Sequence, residues 1–270
     1  MIQHNNRKHQ SKFRRLLRIV KRLMYVCITG AAVYFIITGV KFWITHSEVF
    51  RVTQVEVTGA NILSVEDIRS LITLEQDQRI FDMDMKPLKK KIEANPYIAH
   101  VSVGRKFPGT ISIDLNERTP FAYISLNKVY FVDAGGYLLP TRWEIPENLN
   151  GIKKYADLPI ITGISVKNPK IGAKTTDMRL TKALSFLQLL SSEFSEYMDT
   201  ISELHCNPDG SFSLFLSENG VRVEFGTGDY RNKLVKLHYF LAYYEERNQE
   251  NKLQYINLKY RDQIVVKEVN

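Results

Sequence analysis

The sequence predicts an α+β protein: one N-terminal transmembrane helix, a small βααββ domain, then a second α+β domain with a mainly antiparallel sheet. Three observations predict it. Positive charge is segregated at one end, a long apolar run follows it, and the rest alternates between period-two strands and helical stripes. Of the 37 Lys and Arg residues in this 270-residue chain, nine lie in residues 1–47 (Arg7, Lys8, Lys12, Arg14, Arg15, Arg18, Lys21, Arg22, Lys41), where there is no Asp or Glu. The first acidic residue is Glu48. The remaining residues hold 28 basic against 29 acidic side chains, so the net charge of +8 belongs to the head and not to the body.

Leu23–Val40 is 18 residues without a charge, about 27 Å long as a helix. Extended to Ile44, it matches a hydrocarbon core of about 30 Å. Residues 1–22 therefore read as a basic cytoplasmic tail and residues 23–44 as the span. Tyr25 and Trp43 lie near its two ends, where amphipathic rings prefer the interface, and Lys41 can extend its ammonium to the headgroups. These three form the expected membrane anchor. Secretory signal peptides have shorter apolar regions and a small-residue cleavage site. Here Phe42-Trp43-Ile44-Thr45-His46 follows instead, as in an uncleaved signal anchor. The excess of Lys and Arg before the span places the N-terminus in the cytoplasm and the body outside. A nucleic-acid arm would use the same basic cluster; its position directly before a spanning helix makes orientation and lipid contact the simpler account, so no nucleic-acid partner is expected. Cys27 lies in the span, which leaves Cys206 as the single exported thiol and no intramolecular disulfide.

The body begins with a β-branched stretch, Val52, Val55 and Val57, ended by the turn residues Gly59 and Asn61. Ser64 with Asp67 resembles a capping box, and Ile68, Leu71 and Ile72 supply a helical stripe. A second helix is expected over about 84–94, with Leu88 and Ile92 on one face; Pro96 ends it by disfavouring helical torsions at Asn95. Val101 and Val103 then alternate with Ser102 and Gly104. After Phe107-Pro108-Gly109, Ile111, Ile113 and Leu115 alternate with Ser112 and Asp114. A period of two with one polar face means a sheet covered on one side, and the two helices provide that cover.

Residues 140–175 are rich in turn formers (Pro140, Pro146, Asn148, Asn150, Gly151, Pro159, Gly163) and read as a connector with short strands between two modules. A helix is expected from Thr176 to about Phe194, with Leu180, Ala183, Leu184, Leu187 and Leu190 as its stripe and Asp177 in its first turn. Next comes a strand at Ile201–Cys206, then Phe212, Leu214 and Leu216 alternating on another. Asn219-Gly220 turns the chain into Val221, Val223 and Phe225; Asn-Gly is the strongest short hairpin signal, because both central residues need positive φ. A helix follows at about 229–247. The last segment, Gln254 to Lys267, reads as a strand over Tyr255–Tyr260, a break at Arg261-Asp262-Gln263, and Ile264-Val265-Val266.

No catalytic constellation is present in this pattern. There is no G-x-S-x-G elbow or P-loop, and Gly226-Thr227-Gly228 lacks the third glycine of a dinucleotide loop. The six histidines are scattered, Asp82 and Asp84 lack the glycine and closing glutamate of a calcium loop, and His205 and Cys206 point to opposite faces of one strand. The chain reads as a binding protein, not an enzyme, with no cofactor, metal or small-molecule substrate.

Val55-Glu56-Val57-Thr58-Gly59, Ser64 opening a helix, Asn95-Pro96-Tyr97-Ile98 and the arginine of Gly104-Arg105-Lys106-Phe107-Pro108-Gly109-Thr110 together resemble a POTRA domain, over residues 50–119. Glu117-Arg118-Thr119-Pro120-Phe121-Ala122 and Val132-Asp133-Ala134-Gly135-Gly136 follow. That succession, behind a basic tail and one span, resembles the FtsQ/DivIB family of bacterial cell-division proteins. Tyr97 and Phe107 stand where the family often has tryptophan, and Lys259-Tyr260 where it has an Arg-Tyr pair. The resemblance implies that residues 120–270 form the family's β domain with a C-terminal partner-binding strand. It also implies a scaffold without turnover, which binds the single-pass proteins FtsB and FtsL, with other divisome components, in the inner membrane at the septum. The contact surface it carries over is Tyr255, Ile256, Leu258, Lys259 and Tyr260. Two other classes compete: a POTRA-type chaperone or assembly factor in protein export, and a membrane-tethered cell-wall enzyme.

Overall fold

The computed structural model describes residues 4–73, 77–141, 155–218, 220–247, 252–261 and 263–269. Asn219 and the turn formers Pro146, Asn148, Asn150 and Gly151 lie outside the described residues. The chain packs as two compact units: Met1–Glu56 with Leu74–Asp84 and Gly104–Ser112, and Val57–Thr73 with Met85–Val103 and Ile113–Asn270.

The first unit is dominated by helix α1, His4–His46. It runs through the basic head as well as the apolar segment. Arg, Lys and Leu are good helix formers, and neither Gly nor Pro occurs before Gly30 to interrupt them. Within α1, Val20–Ile44 is apolar and long enough to cross a membrane, and none of it is buried in the protein. Tyr25, Lys41 and Trp43 are all exposed on this helix. Ser47 caps a short 3-10 turn, Glu48–Phe50, and the chain enters β1, Gln54–Thr58. Arg105 explains the arginine of the glycine-flanked motif: its guanidinium donates to the carbonyls of Ile80 (2.7 Å) and Met83 (2.6 Å) and so pins the segment before the second helix.

The small domain's remaining elements are α2 (Val65–Ser70), α3 (Met85–Glu93), β2 (Ile98–Lys106) and β3 (Thr110–Glu117), with sheet order β1-β3-β2. This is the βααββ order expected from the sequence. In the second unit, the Ser64 hydroxyl accepts from the Asp67 amide at 3.0 Å and caps α2. Glu117 does more than end β3. Its carboxylate accepts the backbone N–H groups of Asn61 (2.8 Å), Ile62 (2.7 Å) and Leu63 (2.9 Å), which fixes the approach to α2. Glutamine there has one acceptor oxygen and a donor amide that faces an N–H. Glu117→Gln is therefore expected to cost about 2 kcal/mol, read as a lower urea midpoint together with faster amide exchange at Asn61–Leu63.

The larger domain is built on one nine-stranded sheet. Its strands are β4 (Pro120–Ser125), β5 (Val129–Asp133), β6 (Leu138–Leu139), β7 (Ile160–Thr162), β8 (Ile201–Cys206), β9 (Phe212–Leu216), β10 (Arg222–Gly226), β11 (Lys252–Asn257) and β12 (Val265–Val269), in the order β12-β11-β10-β9-β8-β7-β4-β5-β6. Neighbours are antiparallel except at β11/β10, β8/β7 and β7/β4. Helices α4 (Met178–Glu193) and α5 (Tyr230–Arg247) share one core with a single face of this sheet. Phe186 is its centre, with the rings of Phe212, Phe225 and Tyr230 within 5.5 Å. Asp177 is the N-cap of α4 and not a first-turn residue: it lies in an extended conformation and accepts from the Arg179 and Leu180 amides.

The expected connector between modules is different in the structure. Within residues 140–175, β7 fills the middle of the sheet, pairing with β4 on one side and β8 on the other, and Ile161 is fully buried. The turn residue Gly163, at φ +76, explains why this strand stops where it does. A Cβ there would stand 2.2 Å from the Cys206 carbonyl oxygen, so only glycine fits against β8.

Candidate functional site

The C-terminal margin of the large sheet follows from three sequence features. Glycine at 226, with φ +66, breaks β10 and turns the chain into α5. The helix then crosses over the sheet, so β11 returns parallel to β10, in register Arg222↔Tyr255, Val223↔Ile256 and Glu224↔Asn257. After the link at Leu258–Ile264, β12 folds back antiparallel, with Ile256 opposite Val266 and Asn257 opposite Val265. The sheet ends there: among the described residues β12 pairs with β11 alone. Val265, Val266 and Lys267 are exposed, so this edge strand contributes little to the core.

Alternation decides which predicted contact residues reach the surface. Ile256 and Leu258 do not; both are buried in the protein's own core, so the side chains that the resemblance placed on a contact surface serve packing instead. Tyr255 is partly buried, and its hydroxyl accepts from the Asn257 amide at 2.8 Å. Tyr260 is 52% exposed. The strand that carries Tyr255 is moreover not the terminal one, because β12 lies outside it.

Lys259 has a role that the sequence did not disclose. Its ammonium is 3.0 Å from Glu224 Oε2, and Glu224 is a carboxylate only 2% exposed, on β10. Glu224 also accepts from the Ser213 hydroxyl at 2.9 Å and pairs with Arg222, while its backbone carbonyl takes the Leu258 amide at 2.8 Å. Read along β10, Glu224 alternates with Val223 and Phe225 and looks like a solvated residue. Two of its side-chain partners come from elsewhere in the chain, Ser213 on β9 and Lys259 after β11. This network anchors the chain just before it swings out to Tyr260 and β12. Burial by itself raises the Glu224 carboxyl, but the hydrogen bonds from Lys259 and Ser213 and the charge of Arg222 outweigh it and hold the group below its usual value. The Lys259 ammonium is held above its own, first through its bond to Glu224.

A carboxyl lowered in the folded state stabilises fully above its unfolded value and loses that contribution as the pH falls through the folded one. The sheet margin should therefore weaken as the pH drops below about 4, with Asp177, also lowered, contributing at the start of α4. Melting temperature followed against pH tests this: Glu224→Gln should be less stable near neutrality and show a shallower acid limb than the parent.

The other candidate pair, His205 and Cys206, is divided by the strand pleat. The Cys206 thiol is buried and pushed up to about 12 by that burial, while His205 faces Thr162 (2.7 Å) on the opposite side. Sequence reasoning also missed Tyr239 and Tyr243, large exposed rings on α5; their helical spacing of four was the available signal.

A different pair from the sequence motifs does come together. Arg118 and Asp133, from the Glu-Arg and Val-Asp-Ala-Gly-Gly segments, form an ion pair at 3.0 Å, and the Arg118 guanidinium lies 3.5 Å from the centre of the Tyr137 ring.

Residues 50–118 match the family described as POTRA domain, FtsQ-type, and residues 122–259 match Cell division protein FtsQ/DivIB, C-terminal. The chain belongs to the FtsQ/DivIB family of cell-division proteins. It is 30% identical over 240 residues to Cell division protein FtsQ of Geotalea daltonii, covering 89% of this chain and 81% of that protein. The FtsQ of Syntrophotalea carbinolica is 28% identical over 240 residues, with 86% and 82% covered. The DivIB of Clostridium tetani is 24% identical over 218 residues, with 80% and 79% covered. A role in cell division and a membrane-anchored architecture follow for this FtsQ/DivIB chain. Its C-terminal match stops at residue 259, so Tyr260 and β12 lie beyond the stretch matched to the family.

Proposed function

We propose that this FtsQ/DivIB-family protein is a scaffold without turnover that binds FtsB- and FtsL-type single-pass proteins and helps assemble the septum. The observation that carries this reading is the edge of β12. A peripheral strand offers a row of backbone donors and acceptors, and an extended partner segment completes the sheet by pairing with them. Tyr260, exposed between β11 and β12 in the chain, and Lys259, held in place by Glu224, give side-chain selectivity. The basic head of α1 supports an orientation with the N-terminus in the cytoplasm and the body in the periplasm.

The test is a pull-down of the intact membrane protein in which FtsB- and FtsL-like proteins are expected to co-purify. A folded variant with Tyr260 and Lys259 replaced should bind the FtsB-type ectodomain more weakly, and unchanged affinity defeats the side-chain part. Turnover of peptidoglycan or of a lipid-linked precursor by the purified protein would replace the scaffold with a cell-wall enzyme. Digestion of residues beyond 48 by a protease confined to the cytosol would reverse the orientation.

A further inference from the structure

A run of aromatic rings leaves the apolar helix and continues onto the surface of the first unit. Trp43, in the last turns of α1, meets the Phe50 ring edge-on at 6.1 Å between centroids. Phe50 meets Phe81 at 5.1 Å, and Phe81 stacks on Phe107 at 5.2 Å. Phe81 is 39% exposed and Phe107 58%, with Val49 also exposed alongside Phe50 in the sequence. Singly exposed apolar side chains are ordinary on a protein surface. Here they form one connected series, and its first member belongs to the apolar segment Val20–Ile44 itself.

The geometry points to the headgroup layer of the membrane that α1 crosses as the occupant of this surface: Phe81 and Phe107 dock the first unit onto the bilayer beside its own anchor. Continuity decides the occupant. Only Thr45–Glu48 separate the end of the apolar segment from Val49, and the ring contacts then lead from Trp43 to Phe107 without a gap larger than 6.1 Å. Aromatic rings favour the membrane–water interface, and an apolar face enters it by about 5–10 Å. Charges next to Phe50 and Phe107 are paired: Arg51 holds Asp77 at 3.0 Å and Glu48 at 3.7 Å, and Lys106 holds Glu56 at 2.8 Å. The attraction is thus apolar and requires no anionic lipid. The inference rests on α1 as a membrane span, and goes beyond it by giving the exported unit a second, peripheral contact with the bilayer.

The full-length chain in phosphatidylcholine vesicles, with Phe107→Trp and both native tryptophans (Trp43 and Trp143) replaced by Phe, carries one tryptophan at the tip of the series. Its fluorescence is expected to fall when the vesicles are prepared with lipids brominated near the headgroup end of their acyl chains. A second chain that retains only Trp43 tests the span in the same vesicles. Quenching of Trp43 with none at position 107 overturns the docking and leaves the span intact; absence of quenching at both overturns the span and the docking with it. Adding Phe81→Ser should reduce the quenching at 107 by removing the ring on which it stacks, and quenching unaffected by that change would show that the series does not act as a unit.

Discussion

Replacing Asp133 with alanine is expected to cost about 3–5 kcal/mol, the range for breaking a buried pair by removing one partner. Asp133 is 7% exposed, and its carboxylate holds three donors. Oδ2 takes the Arg118 guanidinium at 3.0 Å; Oδ1 takes the backbone amides of Gly135 at 2.9 Å and Tyr137 at 2.8 Å. Those amides shape the turn between β5 and β6, where Gly136 sits at φ +86. Alanine would strand two N–H groups and a cation whose side chain is only 16% exposed. The Tyr137 ring beneath Arg118 offers some relief but no counter-charge. Asparagine keeps an acceptor for the turn while losing the charge, so Asp133→Asn should fall between parent and Asp133→Ala. Urea unfolding of the detergent-solubilised chain measures the series. An alanine variant within 1 kcal/mol of the parent would show that water or a neighbouring group takes over these bonds.

That cluster also marks where sequence reading stops. The segments Glu117-Arg118 and Val132-Asp133 were visible as family signatures, yet nothing in either says that Arg118 should meet Asp133. Local periodicity names elements and does not pair them. It performed well where one face of an element is buried and the other wet: β3 alternates and α4 carries its helical stripe, whereas β9 and β10 are buried on both faces at Ser213 and Glu224. It placed short strands in residues 140–175 without fixing β7 or its partners, because three residues inside a Pro- and Gly-rich stretch are too few to show a period. It failed for the helical basic head because hydropathy reports the lipid-facing part of a helix and not the helix itself. At the candidate site the strand pair is legible in the sequence, but which of the two forms the edge of the sheet is not. Ile256 and Leu258 look like partner anchors only while the core that the sheet shares with α4 and α5 is out of view; both are buried in it.

Removing β12 should therefore separate binding from folding. A chain ending at Ile264 retains the partly buried Ile264 against the core and deletes Val265–Val269, whose described apolar side chains, Val265 and Val266, are more than a third exposed. The stability lost is the five-position pairing with β11 and a fraction of two valines, about 3–5 kcal/mol at about 1 kcal/mol for each ladder bond. The binding lost is read separately. If an extended FtsB-type segment adds to this edge, its ladder bonds have nothing to pair with, and each is worth about 1 kcal/mol net. Two or three of them make a drop of about 100-fold in affinity. The new margin at β11 is a poor replacement. Lys259 and Leu258 tie its end to Glu224, and its Leu253 and Ile256 side chains are already committed to the core. Titrating the FtsB-type ectodomain against the full and shortened chains, beside their urea midpoints, reads both quantities. A shortened chain that keeps its fold and its partner affinity would mean that the partner docks elsewhere, with the exposed Tyr239 and Tyr243 face of α5 the next surface to replace.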